Sequence, residues 1–153
     1  RIVQISTFTA SLPLPFNGAS GASKAATEVF AAVYRAELKH LGVDVVVVPA
    51  GIMRTGGPAI PDASVARIAA EMTPEQRELY GQTFAVFAQG LSAMQKGGLD
   101  SASAATRVIE IAEQMPAPSR AAVGEDAEEI LRFVREKSDA EQDALRLKLV
   151  GLN

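Results

Sequence analysis

The sequence predicts an α/β fold: a parallel sheet of three strands with helices packed against it. Three observations carry that expectation. Two apolar, β-branched runs, RIVQIST and VDVVVV, flank a proline-free, alanine-rich stretch long enough for a helix of about six turns. A third short apolar run, RAAVG, comes later, after two further helical patterns. Capping signals stand at the starts of the later helices.

Taken in order, Arg1–Thr7 is β-branched and apolar and reads as a buried strand. FTASLPLPFNG, with its prolines and glycine, is a loop. From Gly18 to Leu41 no proline intervenes and alanine recurs, and Gly42 stands where a C-cap glycine ends a helix. Val43–Val48 is almost wholly apolar, as a strand covered on both faces should be. Strand, helix and strand make a βαβ unit, right-handed by the general rule. PAGIMRTGGPAIPD is rich in glycine and proline and reads as loop.

TPEQ (Thr73–Gln76) opens a helix, with Thr as cap, Pro at the first helical position and Gln three residues after the cap. Behind it Tyr80, Phe84, Phe87, Leu91 and Met94 recur at alternating spacings of four and three, one apolar stripe. Asp100 or Ser101 caps the next helix, whose Ala105, Val108, Ile109 and Ala112 face one way. Arg120–Gly124 is the third strand. DAEE from Asp126 and SDAE from Ser138 read as capping boxes of two closing helices.

The chain has 153 residues, about one domain, and at 48% hydrophobic against 22% charged it has the composition of a globular protein. A net charge of −3 gives no electrostatic footprint for nucleic acid, and no basic run suggests a membrane surface. There is no cysteine, which excludes disulfides, thiol catalysis and thiolate metal sites. Without a Cys or His cluster no metal site is expected. No apolar run is long enough for a membrane span, and no signal peptide is visible.

RIVQIST, then SGASKAA, then VVVVPAGIMRT resemble the second half of the short-chain dehydrogenase/reductase family, and the resemblance covers nearly the whole chain. That family reads, in outline, a strand ending in Ser, thirteen residues to Tyr, Y-x-x-x-K opening a long helix, and a strand ending P-G-x-x-x-T. The closing RAAVGEDAEEILRFVREKSDAEQDAL and the apolar insertion are most similar to the branch containing hydroxysteroid and retinol dehydrogenases. The resemblance implies the last three strands of a Rossmann-like, doubly wound parallel sheet with flanking helices. Residues 1–153 would then be the C-terminal half of a single domain, with the N-terminal dinucleotide-binding half absent from this chain. It also implies NAD or NADP as cofactor, a small apolar ketone or alcohol as substrate, a homo-oligomer and a cytoplasmic location.

By the same resemblance Lys24 matches the lysine that contacts the nicotinamide ribose and lowers the tyrosine pKa. Gly51, Ile52 and Thr55 fall in the segment that wraps the cofactor, with Ala50 where proline is usual. Ser20 stands where the catalytic tyrosine should be, and Thr7, thirteen residues earlier, where the substrate-holding serine should be. Threonine keeps a hydroxyl on the same β-carbon and can still donate to a carbonyl oxygen. Ser20 is the larger departure. A phenol titrates near ~10 and a neighbouring ammonium brings it down, whereas an aliphatic hydroxyl titrates far higher. The serine also falls short by the length of an aromatic ring, on the order of 4 Å. Loss of the general acid alone costs roughly 10²–10⁴ in rate.

The family's Gly-rich turn, where a helix N-terminus holds the pyrophosphate, has no counterpart in this sequence. GGPAIPDAS reads as glycine in a loop with no helix opening behind it, and NGASGAS belongs to the lysine motif. Each candidate also has a plainer reading. Lys24 can be a solvated helix lysine, Ser20 a favoured helix N-terminal residue, and the Tyr80–Met94 stripe core packing. His40, the only histidine, suits a helix end without any catalytic role. Two functions of different class follow: an oxidoreductase impaired at Ser20, or a noncatalytic relative that keeps the fold for binding or assembly. In the family the long helix pairs with its counterpart in a second subunit, and here it carries apolar Phe30, Val33, Tyr34 and Leu38 on more than one face.

Overall fold

The computed structural model describes residues 1–54 and 59–152, and of residues 59–62 the backbone only. Strands β1 (Ile2–Thr7) and β2 (Val45–Ala50) pair in parallel, with Ile2 opposite Val45 and Thr7 opposite Ala50. Between them runs α1 (Gly18–Glu37). A 3₁₀ turn over Lys39–Leu41 follows, and Gly42 closes it at φ 71°, the left-handed conformation that glycine adopts without a Cβ penalty. The expected strand–helix–strand unit is present, with β2 lying two residues later than its apolar run suggested.

The third strand is reduced. Residues 119–123 lie along the far side of β2 through four hydrogen bonds: Val47 N–H to Ser119 O, Ala121 N–H to Val47 O, Val123 N–H to Pro49 O and Gly51 N–H to Val123 O. These make two isolated parallel bridges, Val47 with Arg120 and Ala50 with Val123, and no continuous ladder. The rung between them needs an N–H at position 49 to donate to Ala121 O, and Pro49 has none. In place of the expected three-stranded Rossmann-like sheet, the described residues form two two-stranded parallel sheets, β1–β2 and β3 (Met53–Arg54) with β4 (Leu99–Asp100).

Two more expectations fail in the middle of the chain. Part of the Gly/Pro-rich stretch is helix, α2 (Ala59–Glu71). Pro61 falls in its first turn, where the missing N–H has no carbonyl to serve anyway. A helix does therefore open behind GGPAIPDAS. On α4 (Ser101–Glu113) the inward face is Ala104, Val108 and Ile111, while Ala105 and Ile109 are exposed, so the expected face is rotated.

Helix starts set by local chemistry are where the sequence puts them. Thr73 and Gln76 form a reciprocal capping box at α3 (Pro74–Lys96), as do Ser138 and Glu141 at α6 (Asp139–Leu149). Asp100 caps α4, its side chain accepting from Ser103 N–H at 2.9 Å, and that bond holds its carboxyl below the ordinary range. DAEE forms no capping box: α5 (Glu125–Glu136) begins two residues earlier than an Asp126 cap would start it, after an uncapped Gly124.

β2 is buried on both sides. Val46 and Val48 pack with Ile111 and Val123 on one face, and Val45 and Val47 meet Ala31 of α1 on the other. β1 is less covered than expected, with Ile2 and Ile5 exposed at the sheet edge. Arg35 fixes α1 across the sheet by donating to Val45 O at 2.8 Å and Ser119 O at 2.9 Å. Glu28, two turns earlier on the same helix, pairs with Arg120. A further core of Phe8, Leu14, Phe87, Ala127 and Val150 lies beyond the C-terminal ends of the strands and seats α3, α5 and α6. Among the described residues no helix is long and apolar enough to cross a membrane.

Candidate functional site

Parallel strands end together, so whatever follows β1 and β2 shares one edge of the sheet. Thr7 ends β1 directly opposite Ala50, and Gly51 and Ile52 follow. The Thr7 hydroxyl accepts from Thr9 N–H at 3.4 Å and from the Thr9 hydroxyl at 3.3 Å, capping the 3₁₀ turn Phe8–Ala10. A hydroxyl carries one proton and two lone pairs, so Thr7 has the capacity to accept from Thr9 N–H and also to donate.

The start of α1 lies against the same turn. Gly21 is buried, and a Cβ there would come within 2.7 Å of the Thr9 carbonyl oxygen, so glycine permits the close approach. Ser20, its neighbour, is exposed; its carbonyl accepts from the Ser23 hydroxyl at 2.9 Å. It is the third residue of α1, which agrees with its reading as a helix N-terminal residue. One turn on, Lys24 is half-buried and its ammonium donates to Ile5 O at 3.3 Å. Ile2 N–H donates to Asp44 O, and in parallel pairing this turns the backbone of even-numbered β1 residues toward β2. Ile5 therefore faces outward, and Lys24 reaches round the helix to cover its carbonyl at the open edge.

Gly51 and Ile52 are more tightly held. Ile52 N–H donates to Asp126 Oδ2 at 2.7 Å and Ile52 O accepts from Leu99 N–H at 2.9 Å, so both polar groups of its backbone are committed. A Cβ on Gly51 would run into the Asp126 carboxylate, which sits against its Cα. Thr55 lies outside the described residues. The structure thus brings Thr7, the first turns of α1, Lys24, Gly51 and Ile52 to one end of the sheet. His40 lies away from it, in the exposed turn after α1.

Two residues at this end were not singled out by their sequence pattern. Asp126 reads locally as a capping acid, and its partner lies 74 positions away. Phe16, just before α1, has φ 59°, a left-handed backbone rare for a bulky residue. Its ring packs edge-on against Phe84, centroids 5.2 Å apart, and tilted against Phe87 at 5.6 Å. Phe84 and Phe87 are buried, while Tyr80 of the same stripe is exposed. Phe16, Ile68, Met72, Tyr80 and Phe84, with the polar Glu71 and Gln76, line an open groove of about 570 Å³ along α2 and α3. Its walls are mostly apolar, suited to a small apolar molecule.

No protein-family model matches the chain, and no curated protein matches it in sequence.

Proposed function

We propose that the chain is the C-terminal half of an oxidoreductase like the short-chain dehydrogenases/reductases, acting on an apolar ketone or alcohol with NAD(H) or NADP(H), and slow because Ser20 replaces a phenol. The observation that carries the reading is the convergence of Thr7, the Ser20 turn and Lys24 at the C-terminal end of a parallel strand pair, where open α/β sheets bind ligands. The chain's own residues fit the ribose end of such a cofactor. Among the described residues Lys24 bonds to Ile5 O, and an ammonium has two more hydrogens for a pair of ribose hydroxyls. Ile52, its backbone spent inside the protein, offers the nicotinamide ring only an apolar wall. When bound, a nicotinamide supplies the hydride chemistry; Thr7 donates to the substrate oxygen, and the groove beside Phe16 takes the apolar body. The reading carries a cytoplasmic setting with it.

The noncatalytic alternative has its own observation. Ser20 points to solvent, and the turn after β2 is already satisfied by Asp126. Comparing the full-length protein with its Ser20→Tyr variant, with both cofactors and a panel of apolar ketones and alcohols, separates the two. Activity that appears or rises with the phenol supports the oxidoreductase. No turnover and no cofactor binding in either form supports the noncatalytic relative.

Assembly belongs to the same reading. Val29, Phe30, Val33 and Tyr34 are exposed on the outer side of α1, with the Phe30 and Tyr34 rings stacked at 6.2 Å. A second copy packing there would remove that surface from water. Phe30→Glu combined with Tyr34→Glu is expected to lower the subunit count by light scattering; an unchanged count rejects this face as the interface.

A further inference from the structure

The geometry points to Asp126 as a positioning residue of the candidate site, the group that fixes the turn leaving β2. Three observations meet at its carboxylate. Oδ2 accepts the Ile52 N–H at 2.7 Å. The three atoms nearest a Cβ built on Gly51 all belong to the Asp126 carboxylate. Gly124, at φ 102°, brings α5 in behind it, and a Cβ there would also meet Oδ1. The carboxylate is thus held between two glycine Cα atoms, in a niche that exists because neither position carries a side chain.

The chain leaves β2 at Ala50, directly opposite Thr7, and must then turn toward β3. A bond to a charged acceptor is among the stronger hydrogen bonds available to a backbone amide. It fixes the Gly51–Ile52 peptide, and Leu99 N–H on Ile52 O fixes the next one. Asp126 is also in the first turn of α5, where a negative charge is favoured by the helix dipole, so the same carboxylate anchors α5 to the end of the sheet. Glutamate would overfill the niche, and asparagine would keep an acceptor but lose the charge.

The consequence for a cofactor rests on the function proposed above; the positioning role itself does not, and a double-mutant cycle tests it separately. Gly51→Ala in the full chain sets a Cβ against the carboxylate and lowers Tm. Asp126→Ala lowers Tm by loss of the Ile52 bond and moves the Ile52 amide proton upfield in NMR spectra. If the clash is with Asp126, the double variant melts above Gly51→Ala alone, a coupling that independent sites do not show. Additive losses, or an Ile52 amide unmoved by Asp126→Ala, overturn the assignment. Should Asp126→Ala fail to fold, Asp126→Asn with the same amide readout replaces it: a weakened but present bond supports the role and an unchanged shift overturns it. Where the wild type binds NAD(P)H, Asp126→Ala weakens that binding about tenfold, the worth of one such hydrogen bond. If the coupling appears while no form binds NAD(P)H, the positioning role stands and the cofactor reading fails.

Discussion

The two ends of the β1–β2 pair are built in opposite ways. At the N-terminal end Arg1 spends its guanidinium inside the protein. It donates to Ala112 O at 2.7 Å, to Gln114 O at 2.8 Å and to Asp44 Oδ2 at 3.0 Å. The first two are carbonyls at the end of α4, which a helix leaves without internal partners and which a cation suits. At the C-terminal end, among the described residues, Thr7 bonds within its own turn, Ser20 faces solvent, and Lys24 makes one hydrogen bond, at 3.3 Å. One end joins helix to sheet; the other keeps a hydroxyl and an ammonium available. Asp126 is the exception at the open end, and it holds backbone there, leaving the side chains free.

The sharpest way to exploit that difference is Ser20→Tyr. At an open position a phenol enters without displacing anything buried, one helical turn from the Lys24 ammonium that would lower its pKa. The expected outcome is a rise in carbonyl-reductase activity of about 10²-fold or more, the range for a positioned general acid. Natural protein that already turns over as fast as the tyrosine form would show that another residue supplies the proton.

Which parts of this were legible in the sequence follows from the range of the interactions involved. Thr73–Gln76, Asp100–Ser103 and Ser138–Glu141 are contacts between near neighbours, and the chain alone specifies them. The strand–helix–strand unit was legible because Val45–Val48 is apolar at every position and Gly42 ends the preceding helical segment. The reduced third strand was not: it depends on which neighbour the missing N–H of Pro49 faces, and that is set by register. Helix α2 was hidden by the proline in its first turn. The face of α4 was misjudged because Val108 and Ile109 are adjacent, and only Ile111 settles which of them turns inward. Of the candidate site, Lys24 and Thr7 were singled out by the family resemblance, whereas Asp126 acts on a residue 74 positions away.

A smaller effect is expected at the closed end. Arg1→Ala removes one of the two cations beside Asp44 and leaves the Ala112 and Gln114 carbonyls to solvent, a loss of roughly 2 kcal/mol for two hydrogen bonds to a charged donor. For a chain of this length that is a Tm fall of about 4–8 °C by calorimetry. A Tm within a degree of wild type would mean that this end is as loosely tied as the other, and the contrast between them would disappear.

The smallest effect concerns how Arg1 and Lys39 share Asp44. The Arg1 hydrogen bond, above all, holds the Asp44 carboxyl below its ordinary value of 3.8; partial burial opposes it, and the Arg1 and Lys39 charges add to the lowering. A carboxyl whose folded-state pKa is depressed contributes stability that is fully present above its unfolded value. That contribution is lost as pH falls through the folded value. The Arg1→Ala penalty should therefore be largest near neutrality and narrow in acid, once Asp44 is neutral in both proteins. It should not vanish, because the bonds to the Ala112 and Gln114 carbonyls do not titrate. Lys39→Ala should move the Asp44 titration upward by less than Arg1→Ala does. Its ammonium stands 3.7 Å away on a side chain 76% exposed, where water and salt screen the pair. Following the Asp44 carboxyl by NMR from neutral pH into acid in both variants decides the matter. Equal upward movements would mean that charge alone, and not the directed guanidinium contact, holds this end of the sheet.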